Sequence, residues 1–247
     1  MNALLRRVLV TRPADDAAPL ARALEAGGFT VLVEPLLRIR NLQGAGADLS
    51  GLQALAFTSA NGVRALAHCA PDAKDRGLAV FTVGPATACA ARAAGFTEVT
   101  SAHGDVAGLA RLIIGACPSG AGAVLHVAGS DRAGDLMGAL QGAGIDARRA
   151  VLYQAVAAQA LSASLCREIE AKGIGAVLIF SPRTAALFVN LMTAAKLAPR
   201  AGEMCLVALS PAVAAAAAAL PWGAVEVAGA PVQEALLAAL AKAMKGN

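Results

Sequence analysis

Val8-Leu9-Val10-Thr11 and Val124-Leu125-His126-Val127 are the same short apolar run met twice, and the rest of the chain repeats around them. The offset is 124 − 8 = 116, and it persists through Leu20/Leu136, Ala23/Ala139, Leu24/Leu140, Gly28/Gly144 and Leu36/Leu152. It then drifts. Ala54 and Ser59 match Ala176 and Ser181 at 176 − 54 = 122, and Pro85-Ala86 and Val106 match Pro211-Ala212 and Val232 at 211 − 85 = 126. Drift of this kind separates equivalent elements by loops of unequal length. A duplicated chain of 247 residues has room for two domains of about 100–150 residues each. Two such domains are expected to enclose a ligand cleft.

Outward from those runs, short apolar segments alternate with Ala/Leu-rich helical ones, the pattern of βα units on a mainly parallel sheet. Strands are predicted at Val8–Thr11, Thr30–Val33, Ala54–Thr58, Ala79–Val83 and Glu98–Thr100, and again at Val124–Val127, Ala147–Val151, Ala176–Phe180, Leu206–Leu209 and Val225–Val227. Helices are predicted between them, among others at Asp15–Ala26, Pro85–Ala94, Asp131–Gln141, Pro182–Ala195, Pro211–Leu220 and Val232–Lys245. Proline opens several of them, at a position that needs no N–H for the ladder. Glycines at 27–28, 95 and 144 follow helices, where a left-handed cap favours them. Two segments fall outside the rhythm: Glu34–Arg40 and Arg148–Val156 are extended and occupy matching places in the two halves. They read either as surface connections or as a pair of strands crossing between domains.

Composition excludes several classes. The chain is 57% hydrophobic and 15% charged, which is ample for a core and unlike a disordered segment. The apolar stretch Cys205–Trp222 contains Ser210-Pro211 and Pro221 and is mostly alanine, so strand, turn and helix suit it better than a membrane span of about 20 residues. The N-terminal residues have no small-residue cleavage pattern, so a secretory signal is not expected. Five scattered cysteines without C-x-x-C read as reduced thiols, neither a disulfide framework nor a zinc site, and point to the cytoplasm. A net charge of +4 with 3% aromatics gives nucleic-acid binding no support.

The local motifs of cofactor and triad enzymes fail on context. Gly142-Ala143-Gly144-Ile145-Asp146-Ala147 fits G-x-G-x-x-A, but it leaves a helix for a strand, the reverse of a phosphate cradle. No G-x-S-x-G elbow precedes a serine, and His68, His103 and His126 lack partners at metal spacing. His126 reads as a packed strand residue. What remains is a set of strand-to-helix turns: Thr11-Arg12-Pro13, Thr58-Ser59-Ala60-Asn61, Gly84-Pro85-Ala86-Thr87, Gly129-Ser130-Asp131, Ser181-Pro182 and Ser210-Pro211. Each alone is ordinary helix capping. Together they occupy the carboxyl ends of parallel strands, where open α/β sheets bind ligands and where free helix N–H groups suit anions. Thr11, Arg12, Ser59, Asn61, Gly84, Thr87, Gly129, Ser130, Ser181 and Ser210 are the candidate substrate-binding residues, for a ligand rich in carboxylates.

Over nearly its whole length the chain resembles the uroporphyrinogen-III synthase family. The resemblance rests on Val8–Pro13, Glu34-Pro35-Leu36-Leu37-Arg38-Ile39, Phe57–Val63, Val83-Gly84-Pro85-Ala86-Thr87, Val151-Leu152-Tyr153-Gln154, Phe180-Ser181-Pro182 and Leu209-Ser210-Pro211, in that order. It implies two flavodoxin-like α/β domains, 1–35 with 155–247 and 41–148, joined by linker strands 36–40 and 149–154. It implies an enzyme of tetrapyrrole (haem-type) biosynthesis without cofactor or metal, expected to act as a monomer. Hydroxymethylbilane, a polycarboxylate, would lose water and close to uroporphyrinogen III, its last pyrrole inverted through a spiro intermediate. Tyr153, the sole tyrosine, matches the residue proposed to assist departure of the hydroxyl. Thr87 and Ser181 match substrate-side hydroxyls. The second G-x-x-T turn departs from the pattern, reading Ser210-Pro211-Ala212-Val213. The competing reading is a non-catalytic two-domain binding protein for an anionic metabolite.

Overall fold

In a computed structural model, residues 7–131 and 134–244 are described. Eleven strands and nine α-helices lie among them. The strands are β1 (Arg7–Val10), β2 (Thr30–Val33), β3 (Leu37–Asn41), β4 (Leu52–Phe57), β5 (Ala79–Thr82), β6 (Val99–Ser101), β7 (Ala123–Gly129), β8 (Ala147–Ala157), β9 (Ala176–Ile179), β10 (Cys205–Ala208) and β11 (Ala224–Val227). The helices are α1 (Ala14–Ala26), α2 (Ala60–Cys69), α3 (Pro85–Ala93), α4 (Val106–Ala116), α5 (Leu136–Gly142), α6 (Ala163–Glu170), α7 (Pro182–Ala194), α8 (Pro211–Ala217) and α9 (Gln233–Ala243). Short 3-10 turns cover Pro71–Arg76 and Ala198–Glu203.

The chain divides into two compact units, one combining the residues up to Arg38 with those from Val156 onward, the other Ile39–Ala155. The first holds a five-stranded sheet in the order β11-β10-β9-β1-β2, every recorded pair parallel. Read outward from β1, this is the flavodoxin-like order 2-1-3-4-5. The central strands β1, β9 and β10 are buried on both faces, as their unbroken Val/Leu/Ile runs require. Leu9, Val177, Ile179 and Phe188 fill one side, and Val8, Val10, Leu178 and Leu236 the other.

The second sheet has the order β3-β8-β7-β4-β5-β6. Its parallel part, β8-β7-β4-β5-β6, is again 2-1-3-4-5, but β7 plays the part of β1 and β4 the part of β9. Those are the pairs matched by the sequence repeat, Val8 with Val124 and Ala54 with Ala176. β3 is antiparallel to β8, because Leu42 N donates to Leu152 O while Ala158 N donates to Leu36 O. The boundary between the units falls inside both of these strands. Leu55, Phe57, Val63, Leu66 and Leu125 pack on one face, Ala56, Leu109, Ile113, Val124 and Leu140 on the other.

Pro85, Pro182 and Pro211 do open helices at the first turn, and Gly28, Gly95 and Gly144 follow α1, α3 and α5 with positive φ. Among the predicted elements, two helices are shorter than expected. α8 stops at Ala217, and α5 begins at Leu136 with Asp135 as its cap, so Gly129-Ser130-Asp131 does not itself open a helix. Lys245, the predicted end of the last helix, lies outside the described residues.

Candidate functional site

In each sheet the strand order reverses at one point, between β1 and β9 in the first unit and between β7 and β4 in the second. Ligands of open α/β sheets bind beyond the carboxyl ends of the strands at such points. The predicted residues collect there, in two groups belonging to different units.

In the second unit the group centres on Tyr153. Along β8 the pairing runs Ala128↔Val151 and then Gly129↔Tyr153, leaving Leu152 as an extra residue. This bulge changes which face Tyr153 takes. Strict alternation would put it with Arg149 and Val151, but it packs with Leu125, Val127 and Leu152 in the core under α2. Its ring lies against Gly129, where an added Cβ would stand 2.8 Å from Cε2 and 2.9 Å from Cζ. Ser130 N donates to Tyr153 O at 2.9 Å. The Ser59 side chain lies beside the Tyr153 hydroxyl and favours its ionised form against the effect of burial. Ser59 caps α2, its Oγ accepting from Asn61 N at 3.1 Å, and Asn61 Oδ1 accepts from Arg64 at 2.7 Å. Helix α2 can come this close because residue 62 is glycine, whose Cβ would meet Val127 O at 2.9 Å.

Electrostatics fix the protonation of the group. Burial pushes the Tyr153 phenol above its ordinary value of 10, and Asp131 adds to that against opposing contributions from Ser59, Gly129 and Arg149. Tyr153 therefore carries its proton at neutral pH. His126, on β7, is buried with its Nδ1 unpartnered, while Nε2 lies 3.3 Å from Thr58 Oγ1. Burial, then the neighbouring Arg149 guanidinium, holds its pKa down at about 4, so the imidazole is neutral. The expectation of a packed strand residue is met for the ring but not for this nitrogen.

One strand further out, Gly84 heads α3 without a side-chain cap, and the space where its Cβ would be is open. Thr87, in the first turn of α3, is 6% exposed and its hydroxyl has no hydrogen bond among the described residues. A cavity of about 330 Å³ lies elsewhere in this unit, lined by Asn41, Gly44, Ala65, His68 and Cys69 among others. None of the predicted residues lines it, and burial raises the Cys69 thiol, so chemistry is better sought at the turns.

In the first unit Thr11 is buried and its Oγ1 donates to Leu178 O at 3.0 Å, which ties β1 to β9 and commits its proton to the fold. Arg12 lies over the Phe180 ring at 4.5 Å and pairs with Asp16 at 3.5 Å, so its charge is held at the strand ends. Ser181 caps α7, accepting from Thr184 N at 3.1 Å. Ser210 heads α8 with no side-chain cap. Val213 is 1% exposed in the core. The missing threonine hydroxyl therefore leaves no unsatisfied group behind. Among the described residues no three His, Cys, Asp or Glu side chains converge to hold a metal ion.

Two α/β units with mainly parallel sheets carry hydroxyls, helix N-termini and one buried neutral tyrosine at the carboxyl ends of their strands, the edge at which α/β enzymes bind their ligands. A family model described as uroporphyrinogen-III synthase HemD matches residues 18–238, and the chain belongs to that family. It is an enzyme of tetrapyrrole biosynthesis that cyclises hydroxymethylbilane. Among solved structures, uroporphyrinogen-III synthetase from Helicobacter pylori 26695 is similar at a TM-score of 0.64 and 18% identity, covering 96% of this chain and 99% of that one. A mutant uroporphyrinogen III synthase from the extremely thermophilic bacterium Thermus thermophilus is similar at 0.55 and 15%, covering 98% and 99%. These likenesses bear on the fold, which is two parallel α/β domains. A search of curated proteins returns no match.

Arg149 escaped the sequence reading. It sits in one of the two segments flagged as extended, but nothing in the pattern distinguishes it from its exposed neighbour Arg148.

Proposed function

We propose that Tyr153 is the acid that assists loss of the hydroxymethyl oxygen as water, with the strand-end turns holding the substrate's carboxylates. The observation that carries this is a buried tyrosine, protonated at neutral pH, whose ring lies against Gly129 at the carboxyl end of β7, beside the sheet's switch point. The departing hydroxyl must gain a proton to leave as water. Ser59 Oγ accepts from Asn61 N, so its hydroxyl proton can turn toward a developing phenolate. After transfer, a hydrogen bond from Ser59 would stabilise the phenolate. The resulting carbocation-like terminal carbon is then attacked by the last pyrrole ring, and the enzyme's part is to hold the chain curled while spiro formation and rearrangement proceed.

Arg12, Ser181 and Ser210 in one unit, and Ser59, Asn61, Gly84, Thr87, Gly129 and Ser130 in the other, are the groups we assign to carboxylate binding through the Arg12 guanidinium, hydroxyls and main-chain N–H groups; Thr11, its hydroxyl proton given to Leu178 O, braces that edge. The functional domains we propose are 1–35 with 155–247 and 41–148, with 36–40 and 149–154 as links. We read the protein as a cytoplasmic monomer without a nucleic-acid partner; all five cysteines are free thiols, which supports a reducing compartment. Light scattering at the 24.5 kDa chain mass tests the monomer.

The experiment that decides is an isomer assay. Given fresh hydroxymethylbilane, the protein is expected to yield uroporphyrinogen III, and formation of only the spontaneous type I isomer would sink the reading. Tyr153→Phe is expected to lower kcat by about 10²–10⁴-fold, the usual range for a general acid, with folding intact. Unchanged turnover would remove Tyr153 from the chemistry.

A further inference from the structure

On the far face of β8 from Tyr153 stands a cation that, among the described residues, has no counter-ion. Arg149 is half-buried, and its Nη2 donates to Gly129 O at 2.6 Å, the same residue whose Cα is covered by the Tyr153 ring. The side chain starts level with His126 in the sheet register and ends level with Gly129, so its guanidinium reaches the carboxyl edge of β7. That bond to a carbonyl uses one of its five donors. Its neighbour Arg148 differs on each point, being exposed, paired with Asp48 and Asp146, and bonded to Ser50 O. Arg149's near neighbour on the sheet, His126, is buried with an unpartnered Nδ1, so this corner holds polar groups that the fold leaves unsatisfied. A half-buried guanidinium with free donors fits a carboxylate bidentately.

We infer that Arg149 is a substrate-binding residue that takes one carboxylate of the tetrapyrrole chain at the turn after β7. The Gly129 carbonyl aims the guanidinium. This rests on the function proposed above.

Steady-state kinetics on the full chain with hydroxymethylbilane tests it. Wild-type protein must first give the type III isomer; if it does not, the functional reading fails before Arg149 is in question. With that established, Arg149→Gln is expected to raise KM about 10–100-fold, the loss of one charge-assisted contact, with kcat within about threefold of wild type. Arg149→Lys keeps the charge but not the fork and should fall between. Arg148→Gln removes the same net charge from an already paired residue and is expected to leave KM unchanged. A wild-type KM in Arg149→Gln, an equal rise in Arg148→Gln, or a fall in kcat alone would each overturn the assignment. Should the glutamine variant fail to fold, Arg149→Lys decides by itself: a KM raised at least about threefold supports it, and a wild-type KM overturns it.

Discussion

Gly129 is the residue with the least freedom in the site. Its Cα carries the Tyr153 ring and its carbonyl carries Arg149, and there is no room for a methyl between glycine and ring. Gly129→Ala is therefore expected to displace Tyr153, costing about 1–3 kcal/mol in urea unfolding and lowering turnover as well. Unchanged stability and rate together would show that the ring has another place to go. Thr87 makes the opposite case. Its hydroxyl makes no hydrogen bond among the described residues, so Thr87→Ala should leave the melting temperature alone while weakening substrate binding by about 0.5–1.5 kcal/mol. A lower melting temperature with unchanged KM would mean that the hydroxyl supports the helix and not the ligand. The places of Tyr153 and Thr87 at strand ends were legible through ordered motifs. Arg149 was not, because what sets it apart is the lack of a partner, and partners are decided by the fold.

At the scale of the element, strands were legible because an apolar run buried on both faces is hard to mistake, as in β9 and β10. The bulge in β8 was not. Ala150-Val151-Leu152-Tyr153 is apolar throughout, so it has no alternation whose break would betray the extra residue. Helix α6 escaped because it is short: its eight residues hold only one i,i+4 pair of buried residues, Leu165 and Ile169, behind the Ser162 cap. Strand β7 carries a prediction of its own through His126. Its pKa is lowered from 6.5 to about 4, so below pH 6.5 the unfolded chain binds a proton that the folded strand refuses. The corresponding stability is complete above pH 6.5 and is lost as pH falls toward 4, by about 3 kcal/mol in all. His126→Gln should flatten the melting temperature across that window. A slope equal to that of the wild type would place the responsible group elsewhere.

For the whole molecule, the repeat announced two similar domains but not how the halves are shared between them. Each unit joins the opening βαβ of one repeat to the closing strands of the other, since β1 pairs with β9 and β7 with β4. Strand pairing over such separations leaves no local mark in the sequence. The second unit is one continuous stretch, and the excised segment 39–155 is expected to unfold cooperatively in urea by circular dichroism. A fragment without a transition would mean that this unit needs the other. The first unit enjoys no such continuity, and the ribosome makes that a matter of time. From the end of β1 to the start of β9 there are 176 − 10 = 166 residues, about 8–33 s of synthesis at ~5–20 residues per second. Long before β9 emerges, the nascent chain delivers β4, its counterpart in the repeat. The duplication that furnished both sheets thus offers the first strand a look-alike of its partner well before the partner itself is made.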